Sequence, residues 1–174
     1  MHSSIPFRGD SYCGLYCGAC EVLNLYRAEV EGGKPAAWAD LPQPLKNVIP
    51  PDYKVACTGC KTDLLSPGCQ ACVIRMCASE KGVEACVVCA EYPCKLVNER
   101  KAYISEHLYE VLPHIKAKFS QADLIREVGY DCWLEQQANQ WTCPQCGMQF
   151  TWYQERCGEC GQSLIGYKEH EVTR

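Results

Sequence analysis

Sixteen cysteines in a chain of 174 residues constrain the fold more than any other feature, because only two chemistries hold so many thiols in place. Disulfides persist in oxidising compartments and metal–thiolate sites in reducing ones. The start of the chain, Met1-His-Ser-Ser-Ile-Pro-Phe-Arg, carries no apolar stretch of signal-peptide length, and no run approaches a membrane span. The expectation is therefore a cytoplasmic protein without a membrane segment. Most of the cysteines stand in C-x2-C pairs, which chelate one ion on a tight turn, so metal is favoured over disulfide.

Composition sharpens this. Apolar residues make up 47% of the chain by a count that includes the cysteines, so the aliphatic and aromatic core is thin and needs reinforcement. The formal charge is −4 before metal, and four divalent ions on sixteen thiolates would bring it to about −12. Such a charge suits a nucleic-acid binder poorly, since that affinity comes largely from phosphate neutralisation. A protein is the expected partner, and no small-molecule substrate is identifiable.

The first metal motif is Cys13-Gly-Leu-Tyr-Cys17-Gly-Ala-Cys20, a C-x3-C-x2-C triplet after a turn at Gly9-Asp10. It leads into a helix of about three turns, with Val22, Leu23, Tyr26 and Val30 at helical spacing and Gly32-Gly33 as a stop. The triplet either shares one helical face or wraps an ion as a loop. Five prolines make residues 34–56 an ordered connector, with one helical turn around Trp38.

Cysteines then return at Cys57, Cys60, Cys69, Cys72, Cys77, Cys86, Cys89 and Cys94. A helix expected from Gln70 to Lys81 separates Cys72 and Cys77 by about 140° around its axis, so they serve different metals. The simplest grouping is Cys57, Cys60, Cys69 and Cys72 on one ion and Cys77, Cys86, Cys89 and Cys94 on another. The triplet is left one ligand short.

Pro93 opens a helix that places Cys94 in its first turn and runs to about Leu112, with Val97, Ile104, Leu108 and Val111 along one side. Pro113 restarts it, Ser120 begins a helix that Gly129 ends, and Asp131 caps a last one. His107, His114 and the mixed charges of this stretch, Lys118 among them, read as a solvated face. Cys143-Pro-Gln-Cys146-Gly and Cys157-Gly-Glu-Cys160-Gly, ten residues apart, form the two knuckles of a zinc ribbon. Trp141, Phe150, Trp152 and Tyr153 are expected to pack around that metal. Cys132 stands alone and is read as a packing residue.

The whole describes a small metal-stabilised α+β protein. It comprises a cysteine-rich multi-zinc domain at 1–100, a helical extension packed on it at 101–139, a zinc ribbon at 140–167 and a loose tail at 168–174. About three to four structural zinc ions are expected. An alternative is an iron–sulfur redox or sensor protein, because C-x3-C-x2-C is also the cluster spacing of radical-SAM enzymes, although their barrel is far larger than this chain can build. A weaker one is zinc–thiolate chemistry, with a cysteine as nucleophile or methyl acceptor. No phosphate loop, serine elbow or HExxH pattern is present, so catalysis is not favoured.

The order CGLYCGAC, CTGC, CQAC, VIRMCASEKGVEACVVC and EYPC resembles a group of cysteine-rich prokaryotic proteins, the domain of unknown function 3795 family, across roughly residues 10–100. Similar members can carry a C-terminal ribbon introduced by a tryptophan. The resemblance implies metal binding by the eleven cysteines from Cys13 to Cys94. It implies no activity.

Overall fold

Glycine and proline punctuation cuts the chain into short helices. The computed structural model describes residues 6–166, and the tail expected to be loose at 168–174 lies outside them. Seven α-helices are present among the described residues, the longest of thirteen residues. They are α1 (Glu21–Val30), α2 (Gln43–Lys46), α3 (Pro67–Gln70), α4 (Val73–Glu80), α5 (Lys95–His107), α6 (Ala122–Val128) and α7 (Tyr130–Gln140). None is long and apolar enough to cross a membrane.

The triplet is a loop, not part of a helix: a 3-10 turn at Cys17–Ala19 delivers the chain to Cys20, which caps α1 in an extended conformation. Asn24 holds this entry by donating from Nδ2 to the carbonyls of Gly18 and Cys20 at 2.7 and 2.9 Å. The single helix expected from Gln70 to Lys81 is broken. Cys72 is extended and buried, so α3 ends before it and α4 starts after it. Cys72 and Cys77 diverge because of that break rather than because of rotation about one axis.

Helix α5 begins directly after Cys94 and stops at His107, short of the expected Leu112, with Leu108 as its cap at φ −119°. Pro113–Ala117 then form a 3-10 turn. Ser120 does not cap α6; its hydroxyl turns back to the Ala117 carbonyl at 3.0 Å. Asp131 lies inside the first turn of α7, whose cap position is Gly129.

The main core joins Val22 of α1, Leu41, Leu45 and Ile49 of the connector, Ile74 of α4, and Val97 and Ile104 of α5. Buried Cys57 and Cys72 belong to the same cluster, with Cys13, Cys20, Cys86 and Cys94 packed against it. A second cluster, centred on the fully buried Trp133, packs α6 and α7 against Ala85 and Val87. In the third, Trp141, Phe150 and Trp152 of the C-terminal unit pack on Tyr16 and Ala19. The cysteine loops therefore lie inside the packing rather than as appendages to it. No extended strand occurs among the described residues: the expected ribbon flanks meet at two single antiparallel bridges, Thr142 with Gln149 and Arg156 with Ser163. The α+β expectation reduces to a small, mostly helical chain built around cysteines.

Candidate metal centres

The C-terminal group is built from two matching turns. In each, the first cysteine takes a backbone hydrogen bond from the glycine after the second: Gly147 to the Cys143 carbonyl at 2.9 Å and Gly161 to the Cys157 carbonyl at 3.0 Å. Both glycines have positive φ, 76° and 73°, a conformation that a side chain would strain. The N–H groups of Cys143 and Cys157 close the turns on the carbonyls of Met148 and Gln162, each at 2.8 Å. This brings Cys143, Cys146, Cys157 and Cys160 together, with all four ligand atoms within 4.8 Å of one another. Cys143 and Cys160 sulfurs are 3.7 Å apart and Cys146 and Cys157 sulfurs 3.4 Å apart. Backbone N–H groups of Cys160 and Glu159 lower the Cys157 thiol to about 7, while burial and hydrogen bonds with the facing thiols push Cys146 up to about 12.

This unit is docked on the loop that follows the triplet. Trp152 N–H donates to the Ala19 carbonyl at 3.0 Å, Tyr153 N–H to Glu21 Oε1 at 2.8 Å, and Arg27 Nη1 to Gln149 Oε1 at 2.9 Å. His114, expected at the surface, is buried in the same joint: its ring stacks on Trp152 at 4.1 Å, and Nδ1 lies 2.6 Å from the Tyr153 hydroxyl. His107 is exposed, as expected. The aromatic residues fill the joint and the interior of the C-terminal unit, with Trp141, Phe150 and Trp152 buried.

Cys13, Cys17 and Cys20 of the triplet lie within electrostatic reach of Cys57, Cys60, Cys69 and Cys72. Burial raises the Cys17, Cys20 and Cys60 thiols, Cys60 to about 12, and neighbouring thiolate charge adds to it. The thiol acting most on Cys17 is Cys60, on Cys60 it is Cys13, and on Cys20 it is Cys57. The triplet therefore does not stand apart. Seven thiols in a low-dielectric setting cannot ionise together without cations among them.

Backbone contacts stitch the two loops. Arg8 N–H donates to the Thr58 carbonyl at 2.8 Å, and Arg8 passes so close to Gly59 that a Cβ there would meet its carbonyl oxygen. Lys61 Nζ forms a 2.8 Å ion pair with Asp10, both side chains more than nine-tenths buried. Burial alone would raise the Asp10 carboxyl, but Arg8 and Lys61 hold it below the usual range. Lys118, read from sequence as solvated, is partly buried and feels Cys13, Cys72 and Cys69, which raise its pKa against the cost of burial. It places a cation beside the seven thiols. Neither Asp10–Lys61 nor Lys118 carries a local sequence signal, because each works through residues far along the chain.

The remaining four N-terminal cysteines, Cys77 of α4, Cys86 and Cys89 around a 3-10 turn, and Cys94 at the start of α5, line one cavity. They are the residues grouped from sequence. Burial raises the Cys86 thiol to about 12, with Cys94, Cys77 and Cys89 adding to it in that order. Cys132 is exposed and joins neither group; its sulfur accepts from Gln136 Nε2 at 3.5 Å.

No curated protein and no solved structure matches the chain. Residues 10–99, just over half of the chain and spanning all eleven N-terminal cysteines, match the family described as "Protein of unknown function (DUF3795)". The chain belongs to the DUF3795 family of proteins of unknown function.

Proposed function

We propose that this is a metal–thiolate protein whose ions are structural and whose folded form serves as an interaction or scaffold module for a protein partner. The observation that carries it is the C-terminal Cys143, Cys146, Cys157 and Cys160 group, four sulfurs within 4.8 Å of one another on two matched turns. Four thiolates about one Zn²⁺ make a closed tetrahedral site with no open position for chemistry, and such sites contribute folding free energy. The eleven N-terminal cysteines extend the argument, since six of them sit within or against the main core and four line one cavity. The negative charge supports a protein partner over nucleic acid.

The test is elemental analysis of the full chain, purified without chelator, alongside Cys146→Ala. The reading requires stoichiometric bound metal, with zinc falling by one ion per chain in the variant. A chain that purifies folded and free of metal overturns it.

A further inference from the structure

The contacts that dock the C-terminal unit come from between its two cysteine turns. Gln149, Trp152 and Tyr153 follow Cys146 and precede Cys157. Among the described residues no extended strand fixes this segment, and the bridges of Thr142 with Gln149 and Arg156 with Ser163 are single ones. Pairing this sparse is marginal on its own. What ties the turns at either end of the segment is the group of four sulfurs, within 4.8 Å of one another. An ion draws them together, whereas four bare thiolates repel.

The other face of the joint is the triplet loop itself. Trp152 N–H reaches the carbonyl of Ala19, between Cys17 and Cys20, and Tyr153 N–H reaches Oε1 of Glu21, the residue after Cys20, at 3.0 and 2.8 Å. Tyr16 and Ala19 are buried in the cluster of the C-terminal unit, and Cys20 packs against both that cluster and the main core. Glu21 is buried and its Oε2 already has no hydrogen-bond partner, so undocking Tyr153 would take a donor from a carboxyl that is short of them. His114 closes the joint from the 3-10 turn, stacked on Trp152 at 4.1 Å. Just beyond it, Phe119 N–H donates to the Cys13 carbonyl at 3.3 Å.

We propose that the C-terminal unit is a metal-dependent clamp on the triplet loop, so that the C-terminal group and the triplet retain metal cooperatively. Metal at Cys143, Cys146, Cys157 and Cys160 holds residues 149–153 in the shape that grips Ala19 and Glu21, and that grip steadies Cys17 and Cys20 as ligands. Linkage makes the effect reciprocal: metal at the triplet holds the loop in the form on which the C-terminal unit docks. The inference rests on the metal–thiolate reading and adds a coupling between its centres.

The experiment follows metal loss from the full chain, purified without chelator, after EDTA is added. Native mass spectrometry counts the ions, and peptide mapping after N-ethylmaleimide shows which cysteines have been freed. Cys146→Ala should purify with its N-terminal metal in place and release the metal at Cys17 and Cys20 about tenfold faster than wild type, within the roughly 5–150-fold range of coupling between sites. His114→Ala opens the joint without altering a cysteine and should speed the same release. Adding Cys146→Ala to it should then change little, because the clamp is already open. Release from Cys146→Ala within about twofold of wild type, or an equal acceleration with and without His114, would overturn the inference and leave the metal–thiolate reading standing. If Cys146→Ala fails to fold, wild type decides. Chains that have lost the C-terminal ion should free Cys17 and Cys20 faster than chains that still hold it, and equal rates overturn the coupling. A folded chain free of metal would end both readings.

Discussion

Replacing His114 with phenylalanine isolates the joint between the C-terminal four-cysteine unit and the N-terminal core. Burial, reinforced by Lys118, pushes the His114 imidazole down from 6.5 to about 3, so the folded chain holds it neutral where the unfolded chain would protonate it. The unfolded state then binds the extra proton, and stability is lost as pH falls below 6.5 and continues to fall toward 3. Between pH 8 and pH 5.5 the cost of keeping the ring neutral is about 1.4 kcal/mol, from RT ln(1 + 10). Phenylalanine keeps the stack on Trp152 and gives up the hydrogen bond to Tyr153, worth about 1 kcal/mol. Wild type should therefore be the more stable at pH 8, and the order should invert near pH 5.5. Glu21, in the same joint, works in the opposite sense: burial raises it to about 7, so the folded chain keeps a proton the unfolded one has released, and stability falls as pH rises from 4.5 to 7. The two slopes offset each other in wild type, which is why the difference between wild type and His114→Phe is the quantity to read. Paired urea titrations at pH 8, 7, 6 and 5.5 supply it. A difference that stays constant across that range would refute the buried-neutral assignment.

The other substitutions probe the loops and the packing. Gly59→Ala, at φ 123° against the Arg8 carbonyl, should cost about 1–3 kcal/mol in urea denaturation and weaken metal retention by the seven-cysteine group it helps to align. Trp133→Ala empties the centre of the α6–α7 packing and should cost about 3–5 kcal/mol, measured the same way. Cys132→Ser should change stability by less than about 0.5 kcal/mol and leave the metal count unchanged.

What could be read from the sequence was what is local. Each C-terminal C-x2-C-Gly turn is complete within six residues, from the first cysteine to the carbonyl two beyond the second, so spacing alone announced the four-cysteine group. The division between Cys72 and Cys77 was also legible, although for the wrong reason: the helix breaks at Cys72 rather than rotating past it. The neighbours of the triplet were not legible, because Cys13, Cys17 and Cys20 interact with thiols about forty residues downstream, and no periodicity records that pairing. His114 and Lys118 were misread for a related reason. They lie in and beside a 3-10 turn at Pro113–Ala117, where the helical period used to assign faces does not apply, and a polar side chain buried by distant partners looks the same in sequence as a solvated one.

The central claim is that metal makes this fold, and it is tested most directly by following folding and metal together as a strong chelator is added to the full chain. Native mass spectrometry counts bound metal while circular dichroism reads helix content in the same titration. The account predicts that helical signal is lost in step with metal and returns when metal is restored. A chain stripped of every ion that keeps its native spectrum and its cooperative urea transition would contradict it.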